Sequence, residues 1–367
     1  MANLGLPYLS IRFIEQGIER IGRSKRNVAA LLLQDKKLKG RYTIYTASDI
    51  PEEMEEANKE QIMLCLKGYV HTPRYVEVIA EQYTETKKFD VSSDGFKQLE
   101  TIRFDYLAVP FASDEEQKKI ATWIKTLNDN ADKRCKFVGC NTNEDHQKII
   151  NYTTKWVKTS EKEYKGNEYV GRICGLLAGT PQQISPTYAP LPELIDCEYF
   201  KKNEIEEKIG NGEFILINDG RKIKVARGVN SLTTTNQIKG GKYKKIKIVD
   251  IMDAMADDIQ MAAEDSYIGK YDNSYDNKCL LMSAIEGYME VLEKDSLLAK
   301  GQSKVEIDLE SQRAYLKSVG YKTVDGRDVN DMEENEIKEA DTGDKVFLIA
   351  HCKILDAIEE IELPVII

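Results

Sequence analysis

Few side chains in this sequence have the types and spacing that catalysis needs. The three histidines, His71, His146 and His351, lie far apart along the chain. They form an acid/base pair or a metal cluster only if folding gathers them, and scattered histidines without a catalytic role are the plainer expectation. The seven cysteines, at 65, 135, 140, 174, 197, 279 and 352, show no C-x-x-C spacing. An odd, dispersed set reads as reduced, buried thiols rather than a zinc site or a disulfide framework. No P-loop, G-x-S-x-G elbow or H-E-x-x-H helix occurs. Phosphate cradling, serine hydrolysis and zinc proteolysis thus lack their usual machinery, and no catalytic, cofactor-binding or metal-ligating residue is expected.

Three other patterns need weighing. Gly171, Gly175 and Gly179 in GRICGLLAG fall four apart. They miss the G-x-G-x-x-G fingerprint, and a membrane dimerisation motif would need about 20 surrounding apolar residues, so they predict a helix face against which another backbone packs closely. The segment DNSYDNK has the Asp and Asn content of a calcium loop without its pattern, which leaves a structured loop between two helices. A basic run, Lys239 to Lys247, and an acidic run, Asp331 to Asp341, are solvated faces on the plain reading. Opposite charges on one chain also suit self-association, with Lys242, Lys244, Lys245, Glu333, Glu334 and Glu336 as candidate contacts.

Composition narrows the partners. A net charge of −10 argues against general affinity for nucleic acid or anionic membrane. With 41% hydrophobic and 31% charged residues the chain is globular, and its 367 residues suffice for two or three domains. The N-terminus lacks a basic region followed by an apolar one, and no apolar run reaches the roughly 18 to 20 residues of a membrane span. Synthesis and retention in the cytoplasm are expected, unless a larger particle carries the protein out.

The elements that must position these residues follow from periodicity. Val28–Leu33 and Val76–Ala80 are apolar runs that fit buried strands, Arg41–Thr46 fits another, and Pro51 opens a Glu-rich helix. Tyr106–Phe111 predicts a strand, Ser113 and Glu116 a capping box, and Ile120, Trp123, Ile124 and Leu127 the apolar face of the helix that follows. Phe137–Gly139 is a further strand, and 145–152 is expected to begin a helix. Strand and helix alternating in this way suggest a partly parallel sheet with helices on its faces. Residues 213–227 predict a hairpin turning at Asn218, Asp219 and Gly220. Two amphipathic helices follow, carrying Ile248, Ile251, Met252, Met255 and Ile259, then Leu281, Ala284, Ile285, Tyr288 and Leu292. Strands are expected at Lys304–Leu309, Arg313–Val319 and Val346–Leu355, giving an α+β domain with helices on one face of its sheet.

Both ends carry an extended arm. Ile361, Leu363, Val365 and Ile367 alternate with Glu362, Pro364 and Ile366, the period of a strand, and Pro364 confines it to an edge. Leu9, Ile11 and Phe13 alternate similarly after Pro7. Such a strand either returns to its own sheet or completes the sheet of another molecule.

Several stretches together resemble the tail sheath proteins of contractile phage tails and R-type bacteriocins, in the form found in Gram-positive hosts. They are VGRICGLLAGTPQQISPTYAPLPE (170–193), INDGRKIKVARGVNSLTTT (217–235), KKIKIVDIMDAM (244–255), EDSYIGKYDNSYDNK (264–278) and ADTGDKVFLIAHCKILDAIEEIEL (340–363). The resemblance implies a mixed α+β and α/β multi-domain subunit with extended N- and C-terminal β arms. Its divisions are an N-terminal arm (1–20), a mixed α/β segment (21–100), an α/β region (101–185), an α+β C-terminal domain (186–355) and a C-terminal arm (356–367). It implies a structural protein with no cofactor. Identical subunits polymerise helically around an inner tail tube protein, meet baseplate and tail terminator proteins, and contract to drive the tube through an envelope. Assembly in the bacterial cytoplasm and release in a particle follow from that. Leu9, Ile11, Phe13, Ile361, Leu363 and Val365 would be the inter-subunit arm residues. A soluble α/β enzyme or ligand-binding protein is the competing class. A type VI secretion sheath, usually built from two different chains, is a third.

Overall fold

The computed structural model describes residues 21–23, 26–86, 88–131, 133–142, 144–237 and 239–366. Its elements run β1 (Val28–Asp35), β2 (Gly40–Ile44), α1 (Glu56–Leu66), β3 (Tyr75–Gln82), α2 (Asp94–Thr101), β4 (Tyr106–Ala108), α3 (Asp114–Asn130), β5 (Lys136–Cys140) and β6 (Ile149–Tyr152). Next come β7 (Trp156–Thr159), β8 (Glu163–Lys165), α4 (Val170–Ala178), β9 (Leu194–Cys197), α5 (Lys202–Gly210), β10 (Glu213–Phe214), β11 (Leu216–Asn218), β12 (Ile223–Val225) and α6 (Ile246–Ala262). The last are α7 (Tyr275–Lys294), β13 (Lys304–Ile307), α8 (Leu309–Ser318), α9 (Glu334–Glu339) and β14 (Leu348–His351). Two units divide the chain. Among the described residues the larger holds Arg23–Asp257, Asp295–Leu297 and the tail from Ile354, and the smaller holds Ile21 and Gly22, Asp258–Lys294 and Leu298–Lys353.

The sequence VAALLL in β1 accounts for the architecture of the larger unit. Ala29, Leu31 and Leu33 face one core with Ile62 and Cys65 of α1 and Ile173 and Leu176 of α4. Val28, Ala30 and Leu32 face a second core with Phe96 and Leu99 of α2 and Ile120, Ile124 and Leu127 of α3. A strand covered on both faces has no solvent side, so its apolar residues run continuously instead of alternating. The sheet has seven strands in the order β10-β6-β5-β4-β1-β3-β2. All neighbours are parallel except β2, which runs antiparallel to β3 at one edge. Polar exposure belongs at that edge, and there Arg41 pairs with Glu77 at 2.8 Å.

Local signals in the sequence match local structure. The Ser113 hydroxyl accepts from the Glu116 N–H and the Glu116 carboxylate accepts from the Ser113 N–H, the reciprocal box that starts α3. Gly220 adopts φ +82° in the β11–β12 hairpin. The glycine face of α4 packs on α1: a Cβ on Gly175 would lie 1.9 Å from the carbonyl oxygen of Cys65.

Two expected elements are corrected. Residues 149–152 form β6, a fully buried strand parallel to β5, where a helix from 145 was expected. Ile149 and Ile150 make too short an apolar run for periodicity to separate strand from helix. Residues 313–318 lie within helix α8, where a strand was expected. Asp308 caps α8 by accepting from the Ser311 N–H at 3.0 Å, and Gln312 and Leu316, four apart, point inward. The helix expected from Pro51 begins at Glu56, after a turn. The strands after 213 do not share one sheet either. β11–β12 and β13–β14 are separate two-stranded ladders, the first in the larger unit and the second in the smaller. Among the described residues no helix is long and apolar enough to cross a membrane.

Candidate inter-subunit interface

In the smaller unit, β13 and β14 pair antiparallel from Lys304↔His351 to Ile307↔Leu348. Val305 and Ile307 turn inward and are buried, while Ile349, Ala350 and His351 are exposed. Among the described residues neither strand has a second neighbour. The Val305 N–H is taken by Glu286 of α7 at 2.8 Å, which blunts that side of β13. A second core, built from Leu316 of α8 and Ile337 of α9 with Val329 and Met332, supports this unit.

The C-terminal tail belongs to the larger unit. The Leu355 N–H donates to the Leu297 carbonyl at 2.9 Å, and Asp356 pairs with Lys245 at 2.6 Å. The Glu359 side chain turns inward. One carboxylate oxygen accepts from Thr187 Oγ1 (2.6 Å) and Ser185 Oγ (3.1 Å), and the other meets Arg227 Nε (3.0 Å) and Lys245 Nζ (3.3 Å). Burial pushes its pKa up, but the Thr187 hydroxyl, Lys245, Ser185 and Arg227 outweigh that, and the carboxyl sits below its usual range. Beyond Glu360 the described residues make no ladder, and Ile361 (82%), Leu363 (78%) and Val365 (75%) are exposed. Ile358 and Ile366 on the alternate face are exposed as well.

Other anticipated residues fall in separate places. Leu9, Ile11 and Phe13 lie outside the described residues. Lys242 is exposed and Lys244 half-buried, while Lys245 is committed to the tail. Glu333 caps α9, Glu334 is exposed, and Glu336 is held by Arg327 at 3.1 Å. The partners found for Lys245 and Glu336 thus lie within their own units. In the larger unit His146 is buried and His71 exposed, and in the smaller His351 lies exposed in β14, beside Glu306 at 3.4 Å. Among the described residues no disulfide joins the seven cysteines, five of which are buried. Among the described residues no group of three or more His, Cys, Asp or Glu is placed to hold a metal. The loop of DNSYDNK is structured by Asn273, whose amide donates to the Gly343 carbonyl at 2.8 Å.

Sequence reasoning missed a buried ionic array on α6. Asp250, Asp253 and Asp257 occupy one helix stripe. Asp257 meets Arg26 (2.7 Å), Arg134 (3.0 Å) and Arg103 (3.1 Å), and Arg26 also holds Asp105 (2.8 Å). Lys136 joins Asp250 (2.8 Å) and Asp253 (2.5 Å), and Lys148 also reaches Asp253. Burial raises the Asp253 pKa, but Lys136 and Lys148 overcome that and bring it to about 2. Each charge has a partner of opposite sign, so the array fastens this part of α6 to the ends of β4 and β5. In sequence these carboxylates read as the solvated side of α6, opposite Ile248, Ile251, Met252, Met255 and Ile259, so no local signal marked them as paired.

Comparison with known proteins fits this arrangement. The phage tail sheath protein central domain matches residues 80–231, and the phage tail sheath C-terminal domain matches residues 238–367. The tail sheath protein of Clostridium phage phiCD119 is 36% identical over 364 residues, covering 98% of this chain and 99% of that one. Among solved structures, the contracted helical sheath of the anti-feeding prophage aligns with a TM-score of 0.69 at 13% identity, covering 99% of both chains. The sheath tail protein of Desulfitobacterium hafniense aligns at 0.67 and 15% identity, covering 82% of this chain and 94% of that one. The sequence match extends over both units and the tail, and on it the chain belongs to the phage tail sheath family.

Proposed function

We propose that this protein polymerises with copies of itself into a helical sheath around an inner tail tube, and that the sheath contracts to drive the tube through a cell envelope. Similar folds occur in proteins described as the contracted sheaths of the anti-feeding prophage and of an extracellular contractile injection system, and in the anti-feeding prophage baseplate. The subunit acts structurally and not as a catalyst, meets baseplate and terminator proteins at the sheath ends, and assembles in the bacterial cytoplasm before release in a particle. Residues 1–20 and 356–367 are its arms, with Leu9, Ile11 and Phe13 in the first and Ile361, Leu363 and Val365 in the second.

The observation that carries this reading is a tail that exposes Ile361, Leu363, Val365 and Ile366 with no partner strand among the described residues. Burying each such side chain contributes about 1.5 to 3 kcal/mol, so a neighbour that covers them gains several kcal/mol per subunit besides the ladder hydrogen bonds. A two-stranded ladder is marginal alone and gains by extension. With β13 blunted by Glu286, β14 is the favoured edge to receive a neighbour's arm. Strand addition keeps subunits connected while rigid bodies move, which a contracting lattice requires. Deletion of residues 357–367 should leave a folded protein by circular dichroism that forms no tubes in negative-stain electron microscopy; ordered tubes from the truncated chain would refute the arm reading.

A further inference from the structure

We infer that Glu359, seated in a socket of Ser185, Thr187, Arg227 and Lys245, is a positioning residue for assembly, a clamp that fixes the point from which the C-terminal arm reaches its neighbour. The inference rests on the strand-donating arm proposed above and specifies where that arm begins.

Three observations carry it. The first is contrast in burial along an otherwise exposed segment: the Glu359 side chain is 7% exposed against 80% for the Glu360 side chain, and Ile358 and Ile361 are exposed as well. A charged residue goes in while its apolar neighbours stay out, the reverse of what the hydrophobic effect alone would give. The second is that the socket is built for a carboxylate. Both oxygens are met by two donors each, one pair from hydroxyls and the other from cations. Thr187 Oγ1 accepts from the Gly228 N–H at 2.9 Å, which leaves its own proton free to point at Glu359. The third is that the same cations hold the flanking acids. Lys245 meets Asp356 at 2.6 Å and Arg227 meets Glu360 at 3.0 Å, so the tail is fixed over Asp356–Glu360.

The consequence is a limit on reach. From Glu360, the last residue so held, to Ile366 there are six further residues, which span at most roughly 20 Å when extended. With the whole Asp356–Glu360 stretch released, the next fixed point is Leu355, bonded to the Leu297 carbonyl, and eleven residues would be free, or roughly 37 Å. A short, fixed reach admits one neighbour at one distance, whereas the longer one tolerates several. The clamp therefore acts on lattice uniformity rather than on the fold of the subunit.

The test compares full-length wild type, E359Q, R227A and the E359Q/R227A double variant, with deletion of 361–367 run in parallel. Each is melted as a monomer and then imaged as tubes by cryo-electron microscopy. The expected result is that E359Q and R227A still melt cooperatively as folded monomers yet give tubes of mixed diameter and axial rise, with the double variant's disorder short of the sum of the two single effects because they share the Glu359–Arg227 contact. E359Q tubes with the wild-type lattice, or a double variant whose disorder is the sum of the two single effects, would overturn the clamp. Normal tubes from the deletion would instead overturn the arm reading on which it rests, and the two failures are distinct.

Discussion

His146 shows how one residue ties burial to a measurable pH response. Burial pulls its pKa from 6.5 to about 4, with Asp129 opposing the shift and Lys239, Lys125 and Lys148 adding to it. Its Nδ1 accepts from the Lys148 N–H at 3.2 Å, a bond only the neutral ring can take. Between pH 6.5 and 4 the unfolded chain binds a proton here that the folded chain refuses, so stability from this group falls as pH drops through that window. The loss is bounded at about 3 kcal/mol. Urea unfolding at about pH 7 and about pH 4.5 should show a smaller pH difference in H146Q than in wild type; equal differences would mean that His146 does not titrate as placed. Glu359 behaves in the same sense as a depressed acid, its contribution present at neutral pH and lost on acidification. At this scale the sequence was legible for the Ser113–Glu116 capping box, whose two residues stand three apart. It was not legible for Glu359, whose four partners come from positions 185, 187, 227 and 245 and share no motif.

Among the elements, α1 and α4 make the tightest dependence on residue type. Gly175 faces the Cys65 carbonyl so closely that a methyl group would meet it at 1.9 Å. Gly175→Ala gains about 1 kcal/mol of helix propensity but forces apart two packed helices, an overpacking cost of about 1 to 3 kcal/mol or more. The clash is with backbone, which cannot rotate away, so net destabilisation is expected in denaturant unfolding. Gly287 in α7 is the contrasting case: it is exposed, and a methyl group added there would meet nothing within 4 Å. Gly287→Ala should stabilise its unit by up to about 1 kcal/mol. If both substitutions move stability in the same direction, the close approach of α1 and α4 is not as described. The glycine spacing announced this contact, whereas β6 and α8 were misread because short stretches of mixed pattern satisfy either period, and only their neighbours decide between them.

At the scale of the whole molecule, the charged runs bear on how copies meet. Lys242 and Lys244 are free of the tail contacts that occupy Lys245, and Glu334 is exposed on α9. We propose these as contacts that re-form between subunits during contraction. Reversing Lys242 and Lys244 to Glu should shift the salt dependence of tube formation measured by light scattering, because exposed pairs are screened over about 10 Å at roughly 0.1 M salt. An unchanged response to both reversal and salt would remove these runs from the account. The larger unit's acids on α6 are a different matter, since their partners are internal and already paired.

What the sequence determined by itself was local and periodic: the two-faced strand β1, the capped helix α3, the glycine face of α4 and the hairpin at Gly220. These depend on neighbours within a turn or a strand, and their patterns carry their own physical cause. Only tertiary structure decided which sheet each later strand joins, that Glu286 blunts β13, and that the arm is pinned at Glu359 before it runs free. Those contacts join residues far apart in sequence, and their energies come from burial and charge pairing that no local window contains.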